Sequence, residues 1–367
     1  MRYCVLGASD FPLSRAPRHS SLGRPSGADV PAFGRRPLGA GPHNCSMPSL
    51  AAAHIWLDGR LLPSDGPHLS AYDRGFQIGD GVFEALRARR GVAIELDGHL
   101  ARLHDSLRGL DFEIPFNDEE IRAGIEALLA AEGWDGIGGD RPGDRPGDRP
   151  VGNAVVRITI SRGFDPTRGV APNDTRATVA IAAWPFKPPS ERTLTEGEAV
   201  IVSRIRRVAD SPMNAIKSIS RAELVYARIE ARRAGADDAI FLTTDGLATE
   251  ATTSNLLAVR GRQCATPRLG AGLLAGTTRA WLVDHGGAVG LEMVQRDLRL
   301  EDLQSADELA VCSAIAGVVP VTRLEGRPIG TGKPGPWVAA LREARERWVD
   351  ELSLAGATPG RIARTHE

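Results

Sequence analysis

AIFLTTDGLATEATTSNLLAV, residues 239–259, sets the reading of the whole chain. The apolar run AIFL stops at Asp245-Gly246, a strong short hairpin signal. Two further β runs then follow, interrupted by a carboxylate, Glu250, and by small hydroxyl and amide residues through Asn255. Polar residues at that density between apolar strands predict strands that line a site.

Reading outward to the N-terminal side, SPMNAIKSISRAELVYARIEARRAG (211–235) sets Lys217 just ahead of a helix with Leu224 and Ile229 on its apolar stripe, closed by Gly235. A lysine taken alone is most often solvated. On the C-terminal side, GLLAGTTRAWLV (272–283) puts a glycine and two threonines, Thr277 and Thr278, directly before an apolar helical run. The free N–H groups of such a helix start can hold a phosphate, although plain N-capping explains the threonines equally well.

Further upstream, IWLDGRLL (55–62) alternates apolar and polar residues around an Asp58-Gly59 turn, which predicts a hairpin. VFEALRA (82–88) and VAIEL (92–96) read as strands, followed by a helix with Leu100, Leu103, Leu107 and Leu110 at helical spacing and a second helix over 118–132. AVVRITI and ATVAIAA give two more strands, and the Pro-rich WPFKPPS (184–190) reads as a connection between lobes. The expected organisation is a first lobe over 53–187, a second over 193–354 and a flexible tail over 355–367. Residues 1–46, rich in Pro, Gly, Ser and Arg, carry no apolar period and are expected to be disordered or an upstream extension of the reading frame, with the start at Met47. The repeat GDRPGDRPGDRP within 136–150 can continue neither helix nor strand and reads as a disordered surface insertion.

The bulk composition is that of an ordinary globular protein, with 42% hydrophobic and 25% charged residues and a net charge of −1. That balance gives no electrostatic reason to expect nucleic acid as a partner. Four cysteines without CxxC spacing argue against a disulfide scaffold or a metal cluster and fit a reducing compartment, the cytoplasm. No stretch reaches the ~20 apolar residues of a membrane span. His54, His68, His99, His104 and His285 share no ligand spacing, so no metal is expected; His99 should pack beside Arg102 at a helix start.

Four segments in this order carry a resemblance: DRGFQIGDGVFEALRA with HLARL after it, NAIKSISR, LATEATTSNLLAV, and GLLAGTTR with VCSAIAGVVPV. Together they resemble the fold-type IV pyridoxal-phosphate enzymes, the class IV aminotransferase family that includes branched-chain and D-amino acid aminotransferases, (R)-amine transaminases and 4-amino-4-deoxychorismate lyase. The resemblance spans nearly all of Ile55 to Leu341. It implies an α+β fold of two lobes, a small α/β lobe followed by a larger pseudo-barrel lobe, with pyridoxal 5′-phosphate as cofactor. It makes Lys217 the aldimine lysine and the catalytic base, Glu250 the carboxylate facing the pyridine nitrogen, and Arg102 the phosphate-binding arginine. Thr277 and Thr278 would complete the phosphate cup, with Ser313 and Ala314 as a second phosphate-contacting turn. Ala314 stands where the aminotransferases usually have threonine. Phe83, Glu84 and Arg168 would lie on the substrate side, and a homodimer is implied.

Within the family the discriminating residues conflict. Arg168 in SRGFDPTRGV resembles the carboxylate-binding arginine of the lyase. Ala222 stands where branched-chain enzymes usually have tyrosine. The expectation is an aminotransferase moving an amino group between an amino acid or amine and a 2-oxo acid, with the pyruvate-releasing lyase that forms 4-aminobenzoate as the alternative. A non-catalytic scaffold is a minor alternative, disfavoured because both the lysine and the glutamate are present.

Overall fold

The computed structural model describes residues 52–135, 153–167, 169–173 and 175–356. The segments 1–46 and 136–150, Arg168, and 357–367 of the expected tail lie outside the described residues.

The first half of the chain runs through β1 (His54–Leu57), β2 (Arg60–Pro63), α1 (Arg74–Ile78), β3 (Gly81–Arg89), β4 (Val92–Ala93), α2 (Leu96–Gly109), α3 (Asp118–Ala131), β5 (Asn153–Ser161) and β6 (Thr178–Pro185). Its six strands form one antiparallel sheet in the order β2-β1-β6-β5-β3-β4. One face is a core. Leu100, Leu103 and Leu107 of α2 and Ile121, Ile125 and Leu128 of α3 meet Val82, Leu86, Val156, Ile158 and Ile160 there, all buried. Each such side chain contributes roughly 1.5–3 kcal/mol on burial, so this face anchors the lobe. Asn117 and Glu120 start α3 with a reciprocal capping box. VAIEL is shorter as a strand than the sequence suggested. Only Val92–Ala93 pairs, because Glu95 turns into the left-handed region at φ 55° and α2 starts at Leu96.

The second half contains α4 (Glu191–Glu196), β7 (Glu198–Arg207), α5 (Ala222–Arg233), β8 (Asp238–Thr243), β9 (Ala248–Ala251), β10 (Asn255–Arg260), β11 (Gln263–Pro267), α6 (Thr277–His285), β12 (Glu292–Arg296), α7 (Leu300–Gln304), β13 (Glu308–Ser313), β14 (Gly317–Leu324), β15 (Arg327–Pro328) and α8 (Pro336–Gly356). Its strands follow the order β12-β11-β10-β13-β14-β7-β8-β9, and β9 pairs back onto β10. That last pairing closes six strands into a ring, a barrel-like sheet from which β11 and β12 extend. Strands β8, β10, β13 and β14 read as largely unbroken apolar runs because both faces are covered. Leu256 and Ala258 of β10 pack with Ile240, Leu242, Val311 and Val321, while Leu257 and Val259 face Trp281 and Leu282 of α6 and Leu341 of α8.

The architecture is α+β. Helix α5 differs from expectation in one respect: its buried stripe is Leu224, Ala227 and Ala231, and Ile229 is exposed. No helix among the described residues is long and apolar enough to cross a membrane.

Candidate active site

The polar strand ends and the face of the first sheet opposite its core enclose a cavity of about 780 Å³. Phe83, Arg102, Lys217, Glu250, Thr277, Thr278, Ser313 and Ala314 all line it. Eight residues taken from widely separated segments thus meet in one place.

Lys217 is held by its backbone. Its N–H donates to Ser106 Oγ of α2 at 3.1 Å, and its carbonyl accepts from the Phe83 N–H at 2.9 Å. Ile219 N–H donates to Gly81 O at 3.0 Å, so the segment lies along β3 like a short extra strand. The amine enters the cavity with its Nζ 4.9 Å from the centre of the Phe83 ring. Burial first, and the Arg102 guanidinium second, push its pKa down from 10.5 to about 8. An ammonium loses hydration there and has another cation nearby, both of which favour the neutral amine. A neutral amine is the nucleophilic form.

Glu250 sits on β9. Its Oε1 accepts from Arg207 Nη1 at 2.5 Å, and its Oε2 accepts from the Leu274 N–H at 3.1 Å and from Asn255 Nδ2 at 3.3 Å. These donors fix the carboxylate and satisfy its charge. Gly276 is required beside it, since a Cβ there would lie 1.9 Å from Asn255 Oδ1.

Helix α6 opens on Gly276, which supplies no capping side chain, so the N–H groups of its first turn have no side-chain acceptor. Arg102 reaches this helix start from the other lobe, donating from Nη1 to Ala275 O at 2.6 Å. Thr278 Oγ1 is buried and has no hydrogen-bond partner. A permanently charged guanidinium, a helix N-terminus and an orphaned hydroxyl on one wall are what a phosphate monoester requires. Ser313 Oγ accepts from the Ala316 N–H at 3.2 Å, and its own proton stays free to donate. On these observations the residues fit pyridoxal 5′-phosphate, with an amine for the aldehyde, a carboxylate for the ring nitrogen and a cup for the phosphate. Among the described residues no group of three His, Cys, Asp or Glu could hold a metal.

Glu84 does not face the substrate side. Neighbouring strand residues point to opposite faces, so with Phe83 in the cavity Glu84 turns toward α2, where it is fully buried. Its Oε1 accepts from Arg102 Nε at 2.7 Å, and its Oε2 from Arg102 Nη2 at 2.8 Å and His99 Nδ1 at 2.7 Å. Burial raises its pKa, but the hydrogen bonds from Arg102 and His99 outweigh burial and hold the carboxyl at about 2. An ionised carboxylate only accepts. His99 Nδ1 is therefore the donor, and its Nε2 faces Thr277 Oγ1 at 3.5 Å. Glu84 thus orients Arg102 and His99 and is turned away from the cavity it was expected to line. Arg168 falls outside the described residues.

Four arginines that line the cavity were missed in the sequence: Arg157 on β5, Arg206 and Arg207 on β7 and Arg221 before α5. The signal for Arg157 was present, a cation inside the apolar strand AVVRITI. Arg221 looked like any helix-start arginine.

Residues 81–324 match the model of the family described as Amino-transferase class IV. The aminodeoxychorismate lyase of Bacillus subtilis is 31% identical over 271 residues, 74% of this chain and 86% of the relative. The D-alanine aminotransferase of Bacillus licheniformis is 28% identical, over 79% of this chain and 95% of the relative. Among solved structures, the branched-chain aminotransferase of the thermophilic archaeon Thermoproteus uzoniensis, solved with norvaline, superposes with a TM-score of 0.72 at 25% identity, covering 83% of this chain and 98% of that one.

Proposed function

Because the chain belongs to the class IV amino-transferase family, we propose that it is a pyridoxal-phosphate-dependent aminotransferase that moves an amino group between an amino acid and a 2-oxo acid. The observation that carries this reading is the Lys217 amine, lowered to about 8 at the wall of a cavity that also holds Glu250 and the start of α6. The bound cofactor supplies an electron sink for the carbanion formed at the substrate Cα.

Lys217 would hold the cofactor, and its Nζ would take the proton from the substrate Cα and return it. Glu250, fixed by Arg207, Asn255 and the Leu274 N–H, keeps a negative charge against the ring nitrogen and so favours its protonated form. Arg102, with Glu84 and His99 behind it, anchors the phosphate together with Thr277, Thr278 and Ser313; Ala314 contributes no hydroxyl. Phe83 forms the substrate-side wall.

A second reading is favoured by the 31% identity to the lyase and by Ala222 in place of tyrosine. In it the same proton abstraction leads to elimination of pyruvate from aminodeoxychorismate. The two separate in a product assay with L- and D-amino acids plus 2-oxoglutarate or pyruvate, and with aminodeoxychorismate alone. Amino transfer that requires a 2-oxo acid supports the first, and pyruvate release without an acceptor overturns it. We also assign a homodimer in the cytoplasm. Support for self-association comes from Tyr72 and Phe164, in ring contact at 6.0 Å and 56% and 52% exposed, with Phe76 of α1 73% exposed. Sedimentation at a single monomer mass would contradict it.

A further inference from the structure

Lys217 belongs by sequence to the second half of the chain, yet its backbone is mounted on the first. Residues 217–219 run antiparallel to the start of β3: the Lys217 carbonyl accepts from the Phe83 N–H at 2.9 Å, the Ile219 N–H donates to Gly81 O at 3.0 Å, and Val82 and Ser218 form an antiparallel bridge. The Lys217 N–H, by contrast, is held by a side chain, Ser106 Oγ of α2, at 3.1 Å. A lysine stem has four flexible carbons. What the protein can fix is the point from which that stem starts.

Ser106 is out of character with its surroundings. It is fully buried on α2, beside Leu103 and Leu107, in a face that packs on the first sheet. A hydroxyl withdrawn from water is costly unless it is hydrogen-bonded, and serine is a weaker helix former than the leucines around it. Its bond to the Lys217 N–H answers the first cost. One turn further along, a Cβ on Gly109 would stand 2.8 Å from Ile216 Cδ1, so α2 carries no side chain where the residue before Lys217 packs. One turn earlier stands Arg102, which reaches the start of α6. Residues four apart share a helix face. Helix α2 thus presents the phosphate-side arginine and the acceptor for the lysine backbone side by side.

We propose that Ser106 is a positioning residue for Lys217: its hydroxyl oxygen holds the lysine's backbone N–H so that Nζ is presented to the group whose phosphate Arg102 anchors, with α2 as the common mount of both. The proposal rests on the reading of Lys217 as the residue that holds the cofactor. A reacting amine displaced from its line of approach reacts more slowly even where its partner still binds. Loss of Ser106 should therefore act on attachment and spare the phosphate cup.

The test separates attachment from binding in the full chain freed of cofactor. Pyridoxine 5′-phosphate, which lacks the aldehyde, reports the phosphate cup by fluorescence titration. Pyridoxal 5′-phosphate at saturation reports the rate of attachment, read as growth of the visible absorbance. That step forms a C=N bond between Lys217 Nζ and the aldehyde carbon, and the two amine protons leave with the aldehyde oxygen as water. Ser106→Ala should slow attachment by about tenfold, the worth of one neutral hydrogen bond, and leave pyridoxine 5′-phosphate affinity within about twofold, because the Arg102 contacts are untouched. Ser106→Cys keeps the side chain's size with a weaker acceptor and should fall between wild type and alanine. An unchanged attachment rate in folded Ser106→Ala, or in Ser106→Cys where that variant alone folds, overturns the proposal. So does a loss of pyridoxine 5′-phosphate affinity as large as the loss in rate, which would place the effect in the phosphate cup. A wild-type protein that develops no visible absorbance refutes the reading of Lys217 itself, whereas a wild-type band with the alanine variant at wild-type rate removes Ser106 alone.

Discussion

The two ends of the cavity are built on opposite principles. At the end formed by α2, β9 and the start of α6, protein donors or acceptors meet the charged side chains: Glu84 with Arg102 and His99, and Glu250 with Arg207 and Asn255. At the end formed by Phe83, Arg157 and Arg221, the guanidiniums share an aromatic ring and form no ion pair with a carboxylate of the described residues. The first end is prepared to hold a group permanently. Its pairings fix geometry, and the orphaned Thr278 hydroxyl and uncapped N–H groups mark where that group completes the set. The second end leaves its guanidiniums on neutral acceptors, Thr159 Oγ1 and Thr252 O, with nothing that fixes them as tightly. A resident cofactor and an exchanging substrate differ in that way.

Substitutions at the first end break the comparison most strongly. Arg102→Gln removes the permanent charge of the phosphate cup and should weaken cofactor binding by about 10–100-fold, the worth of a charged hydrogen bond, read by fluorescence titration of the apo protein with pyridoxal 5′-phosphate. Glu84→Gln leaves Arg102 in place but buried without its counter-charge. It should lower the denaturation midpoint, with a loss on the order of 3 kcal/mol, and weaken the cofactor by only about fivefold. A Glu84→Gln protein with wild-type stability would remove the positioning role. The smallest effect is a shift in pH dependence. Attachment of the cofactor needs the neutral Lys217 amine, so its rate in the apo protein should rise as pH increases through about 8, well below the usual lysine value of 10.5. Arg102 is one cause of the lowering, so Arg102→Gln should move that midpoint upward; a midpoint unmoved in the variant would assign the lowering to burial alone.

How much of this was legible in the sequence divides along the same line. Glu250 and the Thr277-Thr278 pair stand in segments whose local pattern is distinctive, a carboxylate among small hydroxyls and a glycine and two threonines opening a helix, whereas Lys217 and Arg102 were marked only by the ordered resemblance to the fold-type IV enzymes. The structure brings all of them to one cavity. The hairpin at Asp58-Gly59, the helices after residue 96 and the apolar strand runs were likewise readable from turn chemistry and period. What could not be read depends on which way a side chain turns. Phe83 and Glu84 are adjacent, and only the pleat sends one into the cavity and the other behind Arg102; a strict two-residue period over VFEALRA would have separated them. Arg157 and Arg221 lie 64 positions apart in different lobes and share nothing local. Their meeting at Phe83 is a tertiary fact. The resemblance implied a pseudo-barrel for the second lobe, but no local pattern names the pairing of Asn255 with Glu250 that closes its ring.

The account stands or falls on Lys217 as the residue that holds the cofactor. The direct measurement is to load the full chain with pyridoxal 5′-phosphate, reduce it with borohydride so that the attachment becomes permanent, and locate the added mass by peptide mapping. The added mass is expected on the peptide containing Lys217 and nowhere else, with no visible absorbance and no trapped cofactor in Lys217→Ala. Modification at Lys187 or Lys333 at equal yield, or an unmodified chain, would contradict it.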